Sequence, residues 1–306
     1  ALYNLGLAFS KQSRLTEAEA YYQQVLTLTP NYEEAYSSLG KVCKDRGKIA
    51  EAIQHYRTAL QLKPTYVEAY DNLLYTLNFS PDYDLTMMFA EHQQFNRRYA
   101  LPLASSMKPQ RNQRDPQRRL KLGYISPDFR KHSLTYFVEP VLSHHNHDQF
   151  EVFCYYNNFK VDEVTRRLQQ HADHWLTCAG WSDEVLTERI RQDQIDILVD
   201  LMGHTANNRL LVFARKPVPI QVFNTIGYSN TTGLTAMDYR ITDGYIDPEG
   251  IAEKFSSETL VRMPASYYCY RPNEDSPSVN NLPAIQNGYL TFGSFNSYAK
   301  LTQPTL

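Results

Sequence analysis

Cysteine is scarce in this 306-residue chain, with four at positions 43, 154, 178 and 269 and no Cys-x-x-Cys pair. That spacing argues against a zinc site. Scattered thiols point to a reducing compartment, so the expected location is the cytoplasm. No apolar run approaches the roughly 18 residues that span a bilayer. The opening "ALYNLGLAFSKQ" lacks the charged-then-apolar pattern of a signal peptide. An excess of one charge is missing too: 31 Lys and Arg stand against 33 Asp and Glu, a net charge of −2. No overall field therefore points to nucleic acid or an anionic membrane as partner. GxGxxG and GxxxxGK[ST] are both absent, so a dinucleotide or ATPase site lacks its phosphate loop. So is the G-x-S-x-G elbow of serine hydrolases, and no cysteine carries a local catalytic signature.

What is present begins with a repeat. Residues 35–70 overlay the first 36 when shifted by 34, with Leu5/Leu39, Gly6/Gly40, Ala18/Ala52, Tyr22/Tyr56, Leu26/Leu60 and Pro30/Pro64 coinciding. The period and residue order resemble the tetratricopeptide repeat, a helix–turn–helix unit. Small residues sit where helices approach closely, and proline ends the second helix. A third copy starts at Ala69 but has Leu74 in place of glycine and dissolves at "FSPDYD", which predicts a capping element. The array opens in mid-pattern, so further repeats are expected upstream. The residue before each Leu-Gly, Asn4 and Ser38, with Asn72 in the third copy, would line a concave surface. There it either binds extended peptide or is simply solvated.

The stretch 83–100 has helical spacing. The Pro- and Arg-rich 101–119 then reads as a solvated tether, with Arg111, Arg114, Arg118 and Arg119 able to meet an anionic partner instead. From about 120, the strand-like runs "LKLGYIS", "FEVFCYY", "IDILVDL", "PIQVF", "YRITD" and "TLVRM" alternate with helical segments. This predicts a Rossmann-like parallel sheet after an α-solenoid. Ligands bind such sheets beyond the carboxyl ends of the strands. Three marked loops fall there, at 126–133, 203–209 and 227–233.

In the first loop, Asp128 is either the cap of the next helix or, with His132, a proton-handling pair. An imidazole facing a cleft is well suited to that work near neutrality. In the second loop, Gly203 allows close backbone approach, and His204 and Thr205 offer polar groups. Asn207, Asn208 and Arg209 open a helix whose N-terminus favours a ligand oxygen or phosphate. The third loop, "GYSNTTG", supplies hydroxyls that either cup a sugar or make a tight turn. His144, His145 and His147 lack the spacing of a helical metal pair, so no metal is expected.

Together, "GYISPDFRKHS", "DLMGHTANNR", "GYSNTTGLTAMDYRITD" and "GYLTFGSFNSYAKLT", placed after the repeats, resemble the O-GlcNAc transferase family and most nearly its SPINDLY branch. The resemblance implies transfer of one sugar from a nucleotide donor to Ser or Thr of proteins held in the repeat groove. It implies inversion, no metal, no cofactor, and a GT-B fold of two Rossmann-like halves. The donor is UDP-GlcNAc in the main branch and GDP-fucose in plant SPINDLY proteins. It places Asp128 and His132 in the cleft where acceptor meets donor, as candidates for removing the acceptor proton. It places Gly203, His204, Thr205, Gly227, Tyr228 and Ser229 around sugar and acceptor. Ser229 replaces the family's proline, and Ser38 interrupts a groove ladder kept at Asn4 and Asn72. The expected division is repeats over 1–80, a helix and basic linker over 81–119, and the N-terminal catalytic half over 120–306. The donor-binding half is expected to be absent, so residues 1–306 alone are expected to be inactive. The rivals are a non-enzymatic scaffold and transfer to Asn.

Overall fold

The computed structural model describes the chain apart from residues 116, 273–275, 294–299 and 301–306. Most of the last motif and all of "LTQPTL" therefore lie outside the described residues.

Helices α1 (Leu2–Lys11) and α2 (Leu15–Leu28) form one hairpin, and α3 (Glu33–Asp45) and α4 (Ile49–Leu62) the next. The repeated glycines have a steric cause. A Cβ on Gly6 would lie 2.6 Å from the Tyr22 ring, and one on Gly40 2.8 Å from Tyr56. The pattern does not dissolve at 79–84, because α5 (Val67–Leu77) and α6 (Leu85–Phe95) make a third pair. From α2 to α4 the helix starts are 34 residues apart (Leu15 to Ile49), whereas α6 starts 36 after α4 (Ile49 to Leu85). Counted from those starts, the buried His92 stands where Tyr22 and Tyr56 stand.

A π-turn (Asn96–Ala100) and a 3₁₀ turn (Leu101–Ser106) end the helical part. The basic segment that follows is no solvated tether. Arg118 Nη1 lies 2.7 Å from Asp196 Oδ2, Asn112 Nδ2 donates to Asp196 Oδ1 at 2.7 Å, and Arg119 pairs with Asp173 at 2.9 Å. Arg111 and Arg114 do remain exposed.

Seven parallel strands then form one sheet in the order β3-β2-β1-β4-β5-β6-β7. They are β1 (Leu120–Ser126), β2 (Phe150–Tyr156), β3 (His174–Thr177), β4 (Ile197–Asp200), β5 (Ile220–Asn224), β6 (Tyr239–Asp243) and β7 (Thr259–Met263). β2 shows why both faces are covered. Val152, Cys154 and Tyr156 join a core with α7 (Thr135–Leu142) and α8 (Glu163–Gln169). Phe153 and Tyr155 point the other way. They join a core shared with α9 (Asp183–Asp193), α10 (Leu210–Ala214) and the repeats. Repeats and sheet are thus packed through continuous apolar contact. The strand order runs outward in opposite directions from β1 and β4, which opens a crevice beyond their carboxyl ends. The four cysteines are unpaired, three of them buried. Among the described residues, no helix is long and apolar enough to cross a membrane.

Candidate functional site

The crevice holds a cleft of about 490 Å³. Its sheet side is built from the loops after β1, β4 and β5, including Asp128, His132, Thr205, Asn207 and Gly227. Its other side comes from the repeats, with Lys41, Lys44, Glu68, Asn72 and Tyr75 on α3 and α5. Asn72 therefore reaches the cleft. Asn4 lies exposed on α1, and the Ser38 hydroxyl bonds Tyr3 at 3.0 Å.

Asp128 is not a helix cap, since α7 begins seven residues later at Thr135, with Leu134 at its N-cap position. The loop is pinned from both sides: Asp128 N donates to Ser126 Oγ at 3.0 Å and Lys131 N to Asp162 Oδ2 at 2.9 Å. Asp128 is 8% exposed, and its Oδ1 receives Arg130 Nη2 at 3.0 Å. Its Oδ2 lies 3.6 Å from His132 Nδ1, and the His132 ring stays 40% exposed. Leu134 N also donates to that Nδ1, at 3.2 Å. The imidazole is held at one nitrogen, beside a carboxylate, and Nε2 has no protein partner among the described contacts.

The second loop differs from its expected role. Thr205 and Asn207 line the cleft, with Thr205 Oγ1 donating to Met202 O at 2.8 Å and Asn207 at φ +58°. His204, however, is 1% exposed, with Nδ1 2.7 Å from Asp71 Oδ1 and Nε2 2.8 Å from Thr232 O. Both ring nitrogens are engaged, so its imidazole is not free for sugar. Arg209 is likewise taken up inside the sheet half, by Asp183 at 2.8 Å and Asn157 at 2.9 Å. Gly203, at φ +53°, packs against the Tyr228 side chain, where a Cβ would meet it at 2.7 Å.

The third loop differs more. A Cβ on Gly227 would lie 2.2 Å from the Leu201 carbonyl oxygen, so only glycine lets these two loops touch. The Tyr228 ring is buried in the joint with the repeats rather than offered to a ligand. His92 Nδ1–H donates to Met88 O at 2.6 Å, leaving Nε2 to accept the Tyr228 hydroxyl at 2.7 Å. Burial, with His204 adding to it, pushes the His92 pKa down to about 3, so its ring stays neutral. Thr231 and Thr232, read as either cupping a sugar or making a tight turn, are fully buried, and their hydroxyls go to Glu258. Ser229 is exposed, and its carbonyl accepts from Arg240 at 3.3 Å. On either side of Ser229 the loop is held by the Tyr228 hydroxyl on His92 and by the threonines on Glu258.

Asp71, Asp200, Arg130 and the repeat lysines were not singled out by sequence reasoning. Asp71 has no local marker, because its partners His204 and Asn208 are remote in the chain, whereas Arg130 and Asp200 bond within their own loops. The histidine run goes to separate partners: His144 to Pro140 O at 2.7 Å, His145 to Tyr124 at 2.8 Å and His147 to Asp173 at 2.9 Å.

Asp200 ends β4 fully buried, with the N–H of Gly203 at 2.8 Å and of Met202 at 3.2 Å. Burial pushes its carboxyl up to about 7, against the pull of those donors and of His204. Between about pH 4 and 7, the folded chain keeps a proton that the unfolded chain has lost. Asp200 therefore subtracts stability as pH rises, by about 1.4 kcal/mol per pH unit at most. Asp200→Asn should remove that slope, so its Tm should climb more steeply, or fall less, than wild type from pH 5 to 7. Parallel Tm profiles would contradict this placement of the proton.

The sequence profile of glycosyl transferase family 41 matches residues 67–274, more than half of the chain. The chain belongs to glycosyl transferase family 41. Tetratricopeptide-repeat profiles match residues 1–32 and 40–73. Among curated family relatives, a probable UDP-N-acetylglucosamine–peptide N-acetylglucosaminyltransferase SPINDLY of Solanum lycopersicum is 38% identical over 239 residues, 77% of this chain and 25% of that protein. The protein of that name from Arabidopsis thaliana is 44% identical over 199 residues, 64% of this chain and 22% of the relative. A mutant form of the Thermobaculum terrenum O-GlcNAc transferase superposes with a TM-score of 0.86 at 34% identity. That match covers 92% of this chain and 53% of the solved one. The chain thus spans about a quarter of its plant relatives and about half of the bacterial structure.

Proposed function

We propose that the full-length protein transfers a single sugar from a nucleotide donor to Ser or Thr hydroxyls of proteins laid along the repeat groove. The observation that carries this is the Asp128–His132 pair opening on a cleft walled by both the repeats and the sheet's carboxyl edge. The acceptor oxygen attacks the anomeric carbon in line as the bond to the diphosphate breaks, inverting that carbon. His132 Nε2 takes the hydroxyl proton, and the nucleoside diphosphate leaves with the bonding electron pair. For Nε2 to accept, the ring proton must sit on Nδ1. In the structure Nδ1 accepts the Leu134 N–H, so the ring must exchange that contact for a bond in which Nδ1–H donates to Asp128; closing the 3.6 Å gap favours that tautomer and the imidazolium that forms. Thr205, Asn207 and the Gly227 backbone flank acceptor and sugar, and Asn72 holds acceptor backbone.

UDP-N-acetylglucosamine is the favoured donor, because the plant relatives are named for it. GDP-fucose is the competing one. The buried free thiols at Cys43, Cys154 and Cys178 support a reducing, cytoplasmic setting. A donor panel with the full-length protein tests the reading: acceptor-dependent release of UDP from UDP-N-acetylglucosamine is expected. Release from GDP-fucose alone would replace the donor, and release from neither would remove the transferase reading.

A further inference from the structure

We infer that Asp71 is a positioning residue that clamps the cleft loop 203–209 onto the last rung of the repeat groove. The inference rests on the reading of the cleft as an acceptor site. Asp71 lies on α5 directly before Asn72, and both of its carboxylate oxygens are taken by the loop after β4. Oδ1 meets His204 Nδ1 at 2.7 Å, and Oδ2 accepts Asn208 Nδ2 at 3.0 Å. The pair is buried at the floor of the cleft, with Asp71 6% and His204 1% exposed.

The hydrogen-bond logic is restrictive. The Thr232 carbonyl can only accept, so Nε2 carries a proton, and Nδ1 faces a carboxylate oxygen across a shared one. The ring therefore bridges three chain segments: α5, the loop after β4 and the loop after β5. Phe95 stacks edge-on against it at 4.6 Å and walls it in.

Register shows that the carboxylate is particular to this repeat. One 34-residue period earlier the position is Ser37, and one period before that Tyr3. The loop it holds needs holding, because Gly203 and Asn207 both sit at positive φ, at +53° and +58°. Thr205 and Asn207, which line the cleft, stand between the two clamped residues or beside them. An acceptor crossing Asn72 therefore meets a loop tied to the neighbouring residue of the same helix. A slip of the loop would leave a buried charge unpaired, which is costly.

The test uses the full-length protein with Asp71→Asn, which keeps shape but cannot hold both partners as a carboxylate does. Amide hydrogen exchange across 203–209 should rise at least tenfold, while exchange in β1 and α3 stays at the wild-type rate. In sugar transfer, kcat should fall about tenfold or more with the donor KM within twofold. Exchange at 203–209 within twofold of wild type would overturn the proposal, as would a rise spread evenly over the protein. A kcat within twofold of wild type alongside a loosened loop would overturn the positioning role. If Asp71→Asn does not accumulate, Asn208→Ala severs one arm only, and the same local pattern is required of it. Should the wild-type protein transfer no sugar, the functional reading fails, and the exchange measurement still decides the clamp.

Discussion

His132→Ala in the full-length protein should lower kcat for sugar transfer by roughly 10²–10⁴, the usual worth of a positioned proton acceptor. The ring is 40% exposed, and its one contact with the backbone is the Leu134 N–H at 3.2 Å. Its loss should therefore cost at most about 1 kcal/mol of stability. Asp128→Asn separates two jobs of the same side chain. An amide oxygen can still accept Arg130, so the loop keeps its shape, but the neutral group no longer favours a protonated ring. A fall of roughly 10²-fold with an unchanged Tm is expected. Single-turnover transfer with saturating donor reads both variants. Wild-type turnover in His132→Ala would take the imidazole out of the reaction.

Gly227→Ala should cost about 3 kcal/mol or more, because the new methyl meets backbone on a neighbouring loop. The Leu201 oxygen lies at 2.2 Å and Met202 Cα at 3.4 Å. Neither can swing aside as a long side chain could. Relief requires parting the loops after β4 and β5, which also carry Gly203, His204 and Tyr228. The damage should therefore reach the joint with the repeats as well as the cleft. Gly244→Ala is the control: nothing lies within 4 Å of its Cβ, and the change should stay within about 0.5 kcal/mol. Urea unfolding of the two variants side by side reads the difference. Equal midpoints would mean that the loops do not touch as described.

Much of the frame was legible because it is local. β1, β2, β6 and β7 match the strand-like runs residue for residue, and in β1 and β2, covered on both faces, the signal is a near-continuous apolar run. β3 was missed. It is four residues long, lies at the sheet edge and is only partly buried, so "HWLT" carries little alternation. The third helical pair reads as a fading repeat in the sequence because Leu74 replaces the glycine and α6 starts 36 rather than 34 residues after α4, and this hides His92 as the counterpart of Tyr22 and Tyr56. The site was legible at the level of loops rather than side chains. All three marked loops lie at the sheet's carboxyl edge, yet His204, Tyr228, Thr231 and Thr232 turn inward. Their orientation depends on partners far along the chain. Asp71 lies 133 residues from His204, and His92 lies 136 from Tyr228. No spacing rule spans such distances. The pairing of Asp128 with His132 is legible because both residues sit in one loop.

The most direct test of the account is to incubate the full-length protein with UDP-N-acetylglucosamine and a Ser/Thr-containing protein acceptor, and to map the product by fragmentation mass spectrometry. One N-acetylhexosamine per modified site is expected, on serine or threonine, lost when His132 is replaced by alanine. Sugar found on asparagine, or an unmodified acceptor with every nucleotide donor tried, would contradict it.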